Sequence, residues 1–137
     1  MIVSLDTSVL VAALTDEPRS DDAARLLGRP ESWIISDWAA AEFSAAIRIK
    51  ARRGDLDTSQ TGFVEASFNA VIARLGGTVT LTAEDHRRTR QLVITDGMIR
   101  APDALHVIVA QRLGAALATF DLGQTRTARA AGVEIYL

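Results

Sequence analysis

Residues 2–14 read IVSLDTSVLVAAL. Ile2–Leu5 is a short apolar run containing β-branched residues, and it ends at Asp6 before a turn-like Thr7-Ser8. A buried strand passing into a helix has this form. Ser8 is the expected cap of a helix over Val9–Leu14, which Asp16-Glu17-Pro18 then stops.

The same alternation continues outward from this stretch. Ser20–Leu27 reads as a helix with Asp21 and Asp22 in its first turn, where the helix dipole favours acids, and Gly28 and Pro30 close it. Trp33–Ile35 is a brief apolar strand, and Ser36 suits the cap of a helix over Asp37–Arg53. Along that helix Ala39, Phe43, Ala46, Ile47 and Lys50 recur at spacings of three and four, so it is amphipathic. Thr58–Leu75 repeats the pattern through Phe63, Ala66, Ala70, Val71 and Arg74 and ends at Gly76-Gly77. Val79–Leu81 is strand-like, and Thr82 precedes a helix with Glu84 and Asp85 in its first turn and Leu92-Val93 on its inner side. Pro102 suits the first position of a helix running to about Leu113, with Gly114 just past its end. Leu105 and Val107–Ala110 make that helix apolar nearly all round, so it should be buried. Ala115–Phe120 is a strand, Thr125–Ala131 a short helix and Val133–Tyr136 a last strand. Strands alternating with helices imply an α/β fold whose parallel sheet is covered by helices on both faces.

Composition narrows the class. At 137 residues, 48% hydrophobic and 23% charged, the chain fits one domain over residues 1–137 and departs from disorder. Apolar runs are too short to span a bilayer, and no basic segment precedes an apolar one, so a cytoplasmic protein with no membrane partner is expected. Cysteine is absent, which excludes disulfide scaffolds, thiolate zinc sites and cysteine nucleophiles. The net charge of −2 does not advertise a nucleic-acid binder. Fourteen of the basic residues are arginine and only Lys50 is lysine, which fits either phosphate recognition or a coding bias.

In open parallel sheets, ligands sit at the carboxyl ends of the strands. Two strands run into aspartates there, VSLD at Asp6 and LATFD at Asp121. Asp103, second in its helix on this reading, lies on the same rim, and Glu42 sits one to two turns into the helix after the second strand. Taken singly, each has an ordinary role. Asp6 and Asp121 suit turns, Asp103 complements a helix dipole, and Glu42 suits a solvated face. Together they form a cluster of like charges, a repulsion that a hard divalent cation would remove. Oxygen-only ligation suits Mg2+ or Mn2+. With no glycine-rich phosphate loop, this points to nuclease-type hydrolysis rather than nucleotide binding.

At these residues the sequence resembles the PIN-domain ribonucleases, specifically the VapC-type toxins of VapBC toxin–antitoxin pairs. The resemblance runs through LDTSVLVAAL at 5–14, AAAEFSAAI at 39–47, RAPDALHVIVA at 100–110 and LATFD at 117–121. It implies a three-layer α/β/α sandwich with a short, mostly parallel central sheet. It also implies a Mg2+- or Mn2+-dependent endoribonuclease that is the toxin of a type II toxin–antitoxin pair. The family's acidic quartet falls on Asp6, Glu42, Asp103 and Asp121, with Thr7, Ser8 and Thr119 as supporting hydroxyls. On this reading Asp6, Asp103 and Asp121 hold the cation, and Glu42 completes the shell or orients the attacking water. In-line attack by water leaves a 3′-hydroxyl and a 5′-phosphate.

The resemblance further implies a cognate VapB-type antitoxin whose tail fills the acidic groove, and a homodimer that forms a heterotetramer or larger assembly with it. Val11, Leu14 and Trp38 suit either such surfaces or the core. His106 is read as a packed core residue, His86 as solvent-facing, and Asp96 as a loop residue or a fifth acid. Arg48, Lys50, Arg52 and Arg53 are the expected RNA contacts, with Arg87, Arg88 and Arg90 elsewhere. Few aromatics, 5% of residues, argue for RNA read by shape rather than by stacking.

Rival metal-carboxylate folds fit less well. A receiver-type phosphoacceptor domain needs a paired acid after the first strand and a late lysine. A haloacid-type phosphatase needs an acid at position 8, where Ser8 stands. The alternative function that remains is a non-catalytic PIN-like module binding RNA or protein.

Overall fold

The computed structural model describes residues 1–137. Strand β1 (Ile2–Leu5) lies at the centre of a parallel three-stranded sheet, between β2 (Ser32–Ile34) and β3 (Ala116–Ala118). Val3 sits opposite Trp33 on one side and Ala116 on the other. Seven helices surround this sheet: α1 (Thr7–Leu14), α2 (Ser20–Leu27), α3 (Asp37–Arg52), α4 (Thr58–Arg74), α5 (Ala83–Asp96), α6 (Ala101–Arg112) and α7 (Leu122–Ala130). No helix is long and apolar enough to cross a membrane.

The period-two alternation of a strand divides its side chains between two cores. Val3, Leu5, Ala116 and Ala118 join Val9, Leu10, Phe43, Ile47 and Phe68 in the larger one. Leu117 points the other way, into a second core with Ala104, Val107, Ala110, Ala128 and Val133. Helices α1, α3 and α4 therefore cover one face of the sheet and α6 and α7 the other. As expected from its composition, α6 is buried without interruption from Ala104 to Ala110, because α5, α7 and the sheet enclose it.

Several boundaries differ from the sequence reading. The two extra strands contract to single parallel bridges, Ser36 with Val79 and Leu117 with Ile135. Beyond Val79 the backbone N–H of Leu81 is taken by the Asp37 carboxylate at 3.2 Å, so no further ladder bond forms there. Helix α4 turns a different face inward: Thr61, Val64 and Phe68 are buried, while Phe63 is 74% exposed. The row of residues at spacings of three and four that packs against α3 is displaced by one position from the expected one. Helix α7 starts at Leu122 rather than Thr125, because Asp121 caps it.

One ion pair fastens α5 to α6. Arg112 reaches Asp85 with Nε at 2.8 Å from Oδ1 and Nη2 at 2.9 Å from Oδ2, and Nη2 also lies 3.2 Å from the Thr80 carbonyl. Asp85 simultaneously closes a capping box with Thr82. Burial disfavours its charge, but the Arg112 fork and the Thr82 N–H outweigh that and hold the carboxyl below its usual pKa. A depressed acid stabilises the fold fully above its unfolded pKa, and that contribution disappears as pH falls through the folded value. Asp85→Ala should cost about 2–3 kcal/mol in urea unfolding near neutral pH. The deficit should shrink when unfolding is repeated near pH 3.

Candidate active site

The last ladder bonds of the sheet bring the carboxyl ends of β1 and β3 together, with the Asp6 N–H donating to the Ala118 carbonyl at 3.0 Å. Just beyond, the Asp6 carboxylate is fixed by three donors on Oδ2: the Ser8 N–H at 3.1 Å, the Ser8 hydroxyl at 2.5 Å and the Thr119 hydroxyl at 3.0 Å. Asp6, not Ser8, is thus the cap of α1. Each hydroxyl also accepts a bond from the segment after β3, Ser8 from the Phe120 N–H and Thr119 from the Asp121 N–H, both at 3.0 Å. Ser8 and Thr119 thus each tie the Asp6 carboxylate to the segment after β3. The Thr7 hydroxyl is buried without a partner and takes no part.

The remaining acids join this framework by different routes. Asp121 is exposed and accepts the Gln124 N–H at 2.7 Å as the cap of α7. Asp103, third in α6, is partly buried with Arg100 Nε at 3.3 Å. Burial is the main reason its carboxyl is raised above the usual pKa; Arg100 opposes this, and the negative fields of Asp121 and Asp6 add to it. Glu42 reaches the cluster through His106, whose Nε2 lies 2.6 Å from Glu42 Oε1 and 3.3 Å from Asp6 Oδ1. Asp6, Glu42, Asp103 and Asp121 thus share one corner of the molecule. Even so, no three His, Asp or Glu side chains are drawn closely enough together to hold a metal ion as they stand.

Two residues matter more here than the sequence reading allowed. His106 is buried as expected, with 2% exposure, but its Nε2 lies between two carboxylates. Burial disfavours its charged form, yet the Glu42 bond and the fields of Asp6, Glu42 and Asp103 prevail and raise its pKa. Its spacing of three from Asp103 was the available signal, since residues three apart share a helix face. Gln124, also buried, donates from Nε2 to the Asp103 carbonyl at 3.1 Å and pins the start of α6 against α7. Nothing in the loosely patterned LGQT stretch marked it.

Other candidates lie elsewhere. Asp96 is the last residue of α5 rather than a loop residue, and it accepts bonds from the Thr127 hydroxyl and the Met98 and Ile99 N–H groups. His86 is exposed. Lys50 is half-buried in an ion pair with Glu17. Arg48, Arg52 and Arg53 are exposed but begin six residues beyond Glu42, about 9 Å along the α3 axis and away from the strand ends. Val11, Leu14 and Trp38 are half-buried, the first two against the larger core.

Comparison with known proteins places this arrangement in a family. The PIN domain family matches residues 3–130, and the chain belongs to it. Similar solved structures include FitAcB from Neisseria gonorrhoeae, 22% identical over 100% of this chain and 97% of that one, with a TM-score of 0.74. VapBC2 from Rickettsia felis, bound to a DNA fragment from its promoter, is 19% identical over 98% of this chain and 97% of that one, with a TM-score of 0.70. VapC20 of Mycobacterium tuberculosis, a sarcin-ricin loop cleaving toxin, is 19% identical over 98% and 99% of the two chains, with a TM-score of 0.71. These likenesses establish the shared fold and with it the α/β architecture read from the sequence. No match emerges among curated protein sequences.

The site predicts opposite stability effects for two of its acids. Asp6→Ala removes the acceptor of three hydrogen bonds and should cost about 2 kcal/mol or more in thermal unfolding. Asp103→Asn relieves a carboxylate that burial and its neighbours disfavour, so its melting temperature should match or exceed that of the wild type.

Proposed function

We propose that this PIN-domain protein is a metal-dependent endoribonuclease and the toxin of a type II toxin–antitoxin pair. The observation that carries the reading is the meeting of Asp6, Asp103 and Asp121 at one sheet edge, where burial chiefly, and the fields of Asp121 and Asp6 in addition, disfavour ionisation of Asp103. A fold that merely needed stability would not assemble that repulsion. Support comes from the family and from similar structures whose own descriptions name a toxin that cleaves the sarcin-ricin loop and a VapBC pair on DNA.

The donors fit a hard divalent cation in type: every one is a carboxylate, thiols are absent, and the mutual repulsion is what such an ion offsets. Asp6, Asp103 and Asp121 would hold Mg2+ or Mn2+, with Glu42 nearby. Bound there, the ion would supply Lewis-acid polarisation of a phosphate and an activated water. The chain's own residues do the positioning. Ser8 and Thr119 fix Asp6 Oδ2, Gln124 fixes the backbone at Asp103, and His106 fixes the Glu42 carboxylate towards Asp6. Glu42, held by His106 and engaged by no arginine, would complete the shell or orient the attacking water. The partners on this reading are RNA, a second copy of the chain, and a VapB-type antitoxin whose tail covers the acidic edge.

A binding-only module draws on one observation, the lack of three side chains already drawn together. Incubation of purified protein with RNA, followed by mapping of 5′ ends, separates the two. The nuclease reading expects Mg2+- or Mn2+-dependent cuts bearing 5′-phosphates, abolished by chelator. Asp103→Asn and Asp6→Asn should each slow cleavage at least about 100-fold, and folded variants that still cleave normally would end the proposal.

A further inference from the structure

The expected RNA contacts on α3 lie away from the acids, yet a different basic and aromatic group adjoins them. Phe120 immediately precedes Asp121, and its N–H is held by the same Ser8 hydroxyl that bonds Asp6. The Arg19 guanidinium is stacked over its ring, 4.1 Å from the centroid. A concavity of about 370 Å3 opens beside this pair, walled by Ser8, Val11, Ala12 and Pro18. A second, of about 190 Å3, lies on the other side with Arg25 and Arg29 on its lining. Ser8, on the wall of the first concavity, bonds Asp6 and so places that concavity next to the acidic site.

Charge bookkeeping leaves this patch positive. Asp22 serves two guanidiniums at once, Arg19 at 2.6 Å and Arg25 at 2.5 Å. Glu17, the acid lining the larger concavity, is already neutralised by Lys50. Arg19 and Arg25 are exposed, with side-chain exposures of 51% and 72%. An arginine plane held flat on an aromatic ring is a platform on which an unpaired base stacks, while a neighbouring guanidinium meets phosphate.

We infer that Arg19 and Phe120, with Arg25, form a nucleotide subsite. It receives one unpaired base of a single-stranded RNA segment beside the phosphate held at the acids. This rests on the nuclease reading above and adds to it the residues that would seat a base next to the phosphate held at the acids. A single well-placed ring thus offsets the general scarcity of aromatics.

The test measures binding of a fluorescein-labelled single-stranded RNA of mixed sequence, and of its duplex, by anisotropy without divalent cation. Phe120→Leu keeps an apolar side chain, and Arg19→Gln changes an exposed one, so both should fold, as thermal melts will verify. Each should weaken single-strand binding about tenfold, with the double variant little worse than either single one. Arg19→Gln should also reduce the slope of log affinity against log salt by about one. In cleavage assays KM should rise more than kcat falls. Folded variants that bind and cleave like wild type, while Asp103→Asn remains inactive, would overturn the subsite and leave the nuclease intact. Equal binding of duplex and single strand would also overturn it. If the same substitutions instead weaken only a co-purifying protein's hold, the groove belongs to a protein tail and the inference fails. Wild-type protein that neither binds nor cleaves RNA would remove both readings.

Discussion

Everything at the sheet edge depends on one electrostatic constraint: several carboxylates must share a small volume without driving the strand ends apart. The structure meets it unevenly. Asp6 is the best compensated, with three donors on one oxygen and the His106 ring facing the other. Asp121 faces solvent and caps a helix. Asp103 is left with an exposed arginine, so burial and its neighbours are only partly offset.

The hydroxyl bridges explain how the first and last acids are positioned relative to one another. Ser8 lies on α1 and Thr119 directly follows β3, so each bond they make crosses between segments far apart in the chain. Each hydroxyl donates to Asp6 and accepts from a backbone N–H, Ser8 from Phe120 and Thr119 from Asp121 itself. The position of the first acid therefore sets the path of the backbone leading to the last. Gln124 extends the coupling to Asp103 through its backbone carbonyl. Helix caps and site geometry are here the same hydrogen bonds.

Legibility in the sequence followed the range of the forces involved. β1, α2 and the Ser36 cap of α3 depend on local patterning, and the structure reproduces them to within a residue. The outer strands were overestimated because a short apolar run does not reveal whether its backbone N–H groups will find a strand or, as at Leu81, a carboxylate. The face of α4 was misassigned because alanines occupy several of its registers, and only packing against α3 decides between them; Phe68 meets Phe43 with ring centroids 4.0 Å apart. Asp6, Asp103 and Asp121 were legible from topology, since parallel strands end on one side. His106 was visible only as a spacing on α6, because the glutamate it bonds is sixty-four positions away. Gln124 left no local trace at all, since its partner is a backbone carbonyl that the sequence cannot distinguish from any other.

The uneven compensation also bears on why the acids persist. A protein selected for stability alone would place an amide or an apolar residue at position 103, because burying a carboxylate next to two others works against folding. At position 6 it would keep the aspartate, which satisfies three donors and caps a helix. The two positions therefore carry different information. Asp6 is accounted for by the bonds it accepts, whereas at Asp103 burial and two neighbouring acids work against a carboxylate that Arg100 and the start of α6 favour. Proteins tolerate such locally unfavourable groups where activity requires them. It is at Asp103, more than at the better-held Asp6, that the fold bears an electrostatic cost.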